Sequence, residues 1–224
     1  MADTSMTHLE RFLATIDREA VDRPACWLGM PTHEAIPGLL RHFGAADFHD
    51  LKRIINDDVW PVDVPYNHPP ANHVACAFDF AKHSGAGYEE RTLTAPGFFE
   101  DATAVGDVEN FPWPDPSEHM DPAACRQAVA SVPPGYAVMG VMWSAHFQDA
   151  CSAFGMETAL VRMLEAPELF QAVIDRIVAF YLQANRIFYE ACGPRLHAVL
   201  IGNDFGSQHT LMVSPDLLRR FVFS

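Results

Sequence analysis

Two short stretches concentrate side chains that could do chemistry. In Gly202-Asn203-Asp204-Phe205-Gly206-Ser207-Gln208-His209, a carboxylate and two carboxamides directly follow the apolar run 196–201. Asp204 suits a general base or an anchor for a substrate group. Asn203 and Gln208 each pair a donor with an acceptor, and the two glycines let backbone approach a ligand. An ordinary strand-to-helix turn uses the same residue types. The second stretch is Trp143-Ser144-Ala145-His146-Phe147-Gln148, at the end of the apolar run 136–141. Here His146 suits proton transfer near neutral pH, Trp143 could wall a flat ligand, and Ser144 offers a hydroxyl. The competing reading is a capping Ser144, a core tryptophan and a satisfied histidine. A third place is Asn56-Asp57-Asp58, where adjacent carboxylates suit acid–base work or, equally, an exposed turn. The catalytic candidates are therefore Asp204 and His146, and the substrate-binding candidates are Asn203, Gln208, Trp143, Ser144 and Asp58.

No metal ligand is assigned within the chain. His68, His73 and Cys76 are spaced loosely enough to converge, but they match no standard zinc pattern. Phosphate-binding glycine loops and the G-x-S-x-G nucleophile elbow are absent.

These residues need elements to hold them. Leu9, Phe12, Leu13 and Ile16 fall at helical spacing, with Ser5 or Thr7 as the cap, and Pro24 follows the stop. Residues 25–30 read as a buried strand. Helices are expected over 32–43, capped by Thr32 and ended by Gly44, and over 47–55, capped by Asp47. Residues 59–64 suit an edge strand, because Pro61 removes a ladder donor. Residues 74–80 and 88–94 read as an antiparallel hairpin around a turn at 82–87. Three prolines make 111–116 a rigid extended connection. From 121 onward the pattern alternates: helix 121–130, strand 136–143, helices 145–154 and 156–165, a long amphipathic helix 167–192, strand 196–201, and a last helix opened by Ser214-Pro215. Long helices between apolar strands imply a parallel sheet covered by helices, so the class is α/β. Pattern alone leaves barrel and open sheet both available. In either, chemistry gathers at the C-terminal ends of the strands, where the two main stretches fall.

Composition narrows the partners. With 49% apolar residues the chain can bury a sizeable core. A net charge of −14 with scattered basic residues excludes a nucleic-acid footprint and disfavours an anionic membrane surface. The first ten residues lack the apolar stretch of a secretory signal, and no run approaches a membrane span. The five cysteines are odd in number and widely spaced, which favours reduced thiols and a cytoplasmic setting.

Several of these stretches resemble the uroporphyrinogen decarboxylase superfamily. Glu10-Arg11-Phe12 and Asp22-Arg23-Pro24 are similar to its first helix and the lead into its first strand. Phe111-Pro112-Trp113-Pro114-Asp115-Pro116 resembles its proline-rich link. The last third carries the most specific match, from Gly155-Met156-Glu157 through Pro167-Glu168 and the long helix to Gly202-Asn203-Asp204, Gln208 and Ser214-Pro215. The resemblance implies a (β/α)8 barrel of the TIM type with its pocket at the strand C-termini. It also implies one of two activities: cofactor-free decarboxylation of uroporphyrinogen in tetrapyrrole synthesis, or zinc-dependent methyl transfer between corrinoid proteins and thiols. Decarboxylases of the superfamily carry an Arg-Gln-Ala-Gly-Arg loop after the first strand. Here that place reads Gly29-Met30-Pro31-Thr32-His33, without arginine. A strongly acidic chain would also repel a polyanion. The methyltransferase-like branch is thus favoured, acting on a small-molecule or corrinoid substrate, with decarboxylation or a non-catalytic binding module as alternatives. That branch ligates zinc through a His-x-Cys motif that would fall beyond Ser224, so the chain itself is expected to hold no cofactor and a longer protein to hold zinc.

A complete barrel needs about 250 residues and eight strands. Only four barrel-type strands are read here, at 25–30, 59–64, 136–141 and 196–201. Residues 1–224 are accordingly expected to be one barrel domain truncated at its C-terminal side, inactive alone and prone to homo-oligomerise.

Overall fold

The computed structural model describes residues 6–68, 73–81 and 92–223, which form two compact units. The first comprises 1–62, 127–140 and 194–199, and the second 63–126, 141–193 and 200–224.

In the first unit, α1 (His8–Ile16) opens with a capping box. The Thr7 hydroxyl accepts from the Glu10 N–H at 3.2 Å, and the Glu10 carboxylate accepts from the Thr7 N–H at 2.8 Å. The next helix, α2 (Ile36–Phe43), starts later than Thr32 because residues 33–35 form a turn, and it ends at Gly44 in the left-handed conformation (φ 66°). Asp47 caps α3 (Phe48–Ile54), accepting from Asp50 N–H at 2.7 Å.

Three strands form one sheet in the order β1 (Val59–Asp63), β2 (Ala137–Trp143), β3 (Ala198–Ile201). Partners advance together along each pair: Ala137 bonds to Asp58 and Val64 to Val141, while His197 bonds to Val138 and Gly202 to Trp143. Both pairings are therefore parallel. β2 is central, and its first six residues are buried.

Residues 25–30 are extended beside β1 but are not a strand. Their donors go to carboxylates: Cys26 N–H reaches Asp58 Oδ2 at 2.8 Å and Leu28 N–H reaches Asp57 Oδ2 at 3.1 Å. One backbone bond, Asp58 N–H to Cys26 O, completes the attachment. Two side chains thus replace a ladder.

Asp58 is fully buried and accepts from Arg11 Nη1 (2.7 Å), both Nη atoms of Arg23 (2.6 and 3.0 Å) and His8 Nδ1 (2.9 Å). Arg11, itself 4% exposed, also makes a forked pair with Asp22. Lys52 is buried against Asp57 at 2.5 Å.

The second unit packs around α8 (Pro167–Cys192). Its buried stripe runs Leu169, Phe170, Val173, Ile174, Ile177, Phe180, Tyr181, Ala184, Phe188 at helical spacing. It packs with α6 (His146–Phe154) and α7 (Met156–Glu165). A cluster of rings fills the core beside it, with Phe78 and Phe80 stacked at 5.3 Å and Phe99 stacked on Trp113 at 6.0 Å. This cluster explains why 74–80 is not strand: Val74–Cys76 is a single 3₁₀ turn, and the following residues deliver Phe78 and Phe80 to the core as coil. The expected partner strand and turn lie outside the described residues for the most part. In the proline-rich link Pro116 begins a short helix, α4 (Pro116–His119), where proline's missing N–H costs nothing. Next comes α5 (Pro122–Ala130), and Ser214 caps α9 (Pro215–Phe221). Gly97 is required by close approach, since a Cβ there would stand 2.3 Å from the Ala153 carbonyl oxygen. All five cysteines are free thiols. No helix among the described residues is long and apolar enough to cross a membrane.

Candidate functional site

The C-terminal ends of β2 and β3 come together in the second unit. The turn out of β2 is tight: Trp143 (φ 65°) and Ser144 (φ 43°) are both left-handed, a conformation that L side chains adopt at a cost of order 1 kcal/mol each. Gly202 N–H donates to Trp143 O at 2.7 Å, and the Trp143 indole lies against Gly202. The ring is exposed there rather than in the core, at 37%.

Asn203 ties the two ends together. Its Oδ1 accepts from Phe147 N–H at 2.9 Å, in the first turn of α6. Its Nδ2 stands 3.3 Å from His146 Nδ1 and 3.5 Å from Ser144 O. His146 Nε2 is 3.3 Å from Val222 O. A ring protonated on Nε2 satisfies both sides, donating to Val222 and accepting from Asn203; this tautomer is assigned from the hydrogen bonds. Both ring nitrogens are thus engaged by the protein, and proton transfer by His146 requires one contact to open. Ser144 is buried, with its hydroxyl 3.5 Å from Asn185 Nδ2.

Asp204 is exposed, and one of its oxygens accepts from Gln148 Nε2 at 3.0 Å. Its other oxygen takes no hydrogen bond among the described residues. The sequence predicts one pocket at these strand ends, and the structure divides them between two. Asp204 and Gln208 line a cavity of about 350 Å³ with Gln148, Cys151 and Met156. Ser144, His146 and Asn203 line another of about 290 Å³ with Asp175, Tyr181 and Asn185. The division follows from where Asn203 and Asp204 meet the first turn of α6: Asn203 takes the backbone N–H of Phe147, and Asp204 the side chain of the next residue, Gln148. Among the described residues, neither cavity has a lysine or arginine in its lining. Trp143 lines neither. Asp58 belongs to the first unit, where its carboxylate is saturated by Arg11, Arg23, His8 and the Cys26 N–H. It has no open position for a substrate, which corrects its expected binding role.

One residue escapes the sequence reading. Asp149, on α6 three residues after His146, accepts from the Tyr181 hydroxyl at 2.7 Å. Burial pushes its carboxyl up to about 7, and the Tyr181 bond only partly opposes this. The available signal was a lone acid among Phe147, Ala150, Cys151 and Phe154, all buried. Burial, with Asp149 as a lesser cause, pushes the neighbouring Cys151 thiol up to about 12, so it is inert as a nucleophile.

Among the described residues no three His, Cys, Asp or Glu side chains converge on a point. His73 Nδ1 accepts from Ala75 N–H, which turns that nitrogen inward on its own turn.

No family model matches the chain, and no curated protein matches it. Among solved structures it is similar to a methyltransferase from Methanosarcina mazei, with a TM-score of 0.54 and 18% identity over 97% of this chain and 64% of that one. The likeness establishes a shared fold. This chain spans less than two thirds of that methyltransferase's length.

Proposed function

We propose that the chain carries part of a uroporphyrinogen decarboxylase-like (β/α)8 barrel enzyme of the methyltransferase branch, moving a methyl group between a corrinoid donor and a thiol acceptor. The observation that carries this reading is the polar cluster at the joined ends of β2 and β3, in a fold shared with a methyltransferase. Sequential parallel strands separated by helices support the barrel. Asp204 anchors a donor group of the substrate through its open oxygen, Gln148 holds that carboxylate in place, and Asn203 fixes the turn that presents it. Cavities whose described lining holds carboxylates and carboxamides without a lysine or arginine suit a neutral or cationic group. They give the carboxylates of uroporphyrinogen no charge-assisted partner. Arg11 and Arg23, two of the three arginines that precede the first expected strand, are already committed to Asp22 and Asp58. Zinc enters no step derived from these residues.

The test is incubation of a complete barrel protein that includes these residues with methylcobalamin and a small thiol, following the corrinoid spectrum and the thioether by mass spectrometry. Thioether formation in the wild type, falling about a hundredfold in Asp204→Ala with an unchanged melting temperature, is the expected result. Thioether formed equally by both proteins, no thioether at all, or turnover of uroporphyrinogen would overturn the reading.

A further inference from the structure

The geometry points to a second ligand site, at the N-terminal ends of β2 and β3, built to hold a small carboxylate with an apolar body. This site lies wholly in the first unit and is independent of the methyltransferase reading. It is a cavity of about 230 Å³, room for a single ring or a short chain. Its walls are apolar: Pro133, Pro134 and Pro194 contribute rigid faces, and Leu9, Val132 and Val138 complete them. Three polar side chains interrupt these walls, Arg195, His197 and Tyr136 with its hydroxyl, and no acidic residue lines the cavity among the described residues. In a chain of net charge −14, a cation facing apolar surface with no acid beside it marks a place where an anion is the missing partner.

His197 is fixed as a donor by the backbone. Its Nδ1 accepts from Val138 N–H at 3.0 Å, while its own N–H donates to Val138 O at 2.9 Å. A ring whose Nδ1 accepts carries its proton on Nε2, and no protein acceptor takes that N–H among the described residues. Burial, and then the Arg195 charge, keep this ring in its uncharged form. Arg195 has no ion pair or hydrogen bond among the described residues. A fixed neutral donor beside a free guanidinium matches the two oxygens of one carboxylate. The pair sits at the two ends of a three-residue step, because the 3₁₀ turn Gly193–Arg195 delivers Arg195 and β3 begins one residue after His197. The prolines hold the walls without spending donors, so an apolar body meets no unsatisfied N–H on their side.

Benzoate is the probe, and benzamide its uncharged isostere. A titration followed by amide ¹H–¹⁵N resonances should shift Leu9, Val132, Val138 and His197 with benzoate. Benzamide should bind at least about tenfold more weakly, and Arg195→Gln should weaken benzoate by a similar factor. Arg195→Lys should restore part of the loss, since it returns the charge without the fork. Arg195 is exposed, so both variants keep the fold, which the remaining resonances check directly. Equal binding of benzoate and benzamide, equal binding by wild type and Arg195→Gln, or no shift of these four amides at roughly 10 mM benzoate would each overturn the site.

Discussion

Replacing Asp58 with alanine should unfold the first unit far more readily than any surface change. The carboxylate is fully buried and takes five bonds at 2.6–3.0 Å from Arg11, Arg23, His8 and the Cys26 N–H. Its loss leaves Arg23 without a counterion. Arg11 is affected less, because its fork to Asp22 at 2.6 and 2.7 Å survives. Removing one partner of a buried ion pair costs about 3–5 kcal/mol, and the surviving Asp22 fork places this case near the lower bound. With a urea dependence of about 1–3 kcal/mol per molar, the midpoint should fall by about 1 M or more. Trp27 and Trp60 lie in the first unit and Trp113 and Trp143 in the second, so fluorescence in a Trp113→Phe, Trp143→Phe background reads the first unit alone. Acid titration supplies a second signature. Burial alone would raise the Asp58 carboxyl, but Arg23, the Cys26 N–H, His8 and Arg11 together hold it at about 2, below the 3.8 of the free group. A depressed carboxyl adds stability that is complete above about pH 4 and disappears as the pH falls toward 2. The variant should lack that portion of the acid transition. A loss under about 1 kcal/mol, or an unaltered acid limb, would show that solvent shares these charges and refute the argument.

Gly97→Ala should be among the most damaging single substitutions in the second unit, because the new methyl would meet the Ala153 carbonyl at 2.3 Å and neither backbone can yield; loss of near-ultraviolet dichroism from the aromatic cluster would show it. Asp149→Asn should change the pH dependence in the opposite sense to Asp58. A carboxyl raised to about 7 stabilises the fold fully below about pH 4, and that contribution is lost as the pH rises through 7. The amide keeps an acceptor for Tyr181 without the charge, so the variant should gain a few kcal/mol over the wild type at pH 8 and little at pH 4, measured by urea unfolding at both values. Phe154→Ala, at a side chain with no exposure, should cost about 3–5 kcal/mol by the same unfolding assay.

The long elements were legible because their signals are local. The capping box at Thr7, the Ser214 cap, the stripe along α8 and the apolar runs of β2 and β3 each need only a window of sequence. Residues 25–30 were misread because the groups that fasten them, Asp57 and Asp58, lie about thirty positions away and act through side chains. Residues 74–80 carry strand-forming types, yet ring packing uses them better than a ladder would. In the candidate site, the polar residues behind each apolar run were visible as a group. Their division between two cavities was not, since it depends on which group in the first turn of α6 each one meets, the Phe147 N–H or the Gln148 side chain. Asp149 owes its raised carboxyl to burial, which the hydroxyl of Tyr181, 32 residues on, only partly opposes, a relation no local pattern encodes.

The fastening of 25–30 has a consequence for how this segment can vary. Its own contribution to the attachment is two N–H groups and one carbonyl, with the Cys26 thiol adding a long contact to Asn56 O at 3.6 Å. Nearly any residue supplies these backbone groups, so Cys26 and Leu28 can be exchanged for other types with the alignment intact, proline alone being barred for want of a donor. The specificity resides at Asp57 and Asp58, where even glutamate would carry its carboxylate one methylene too far. A stretch that pairs by ladder is written in its own residues; this one is written in its neighbour's, and a comparison of related chains would find the constraint at 57–58 while the segment it governs drifts.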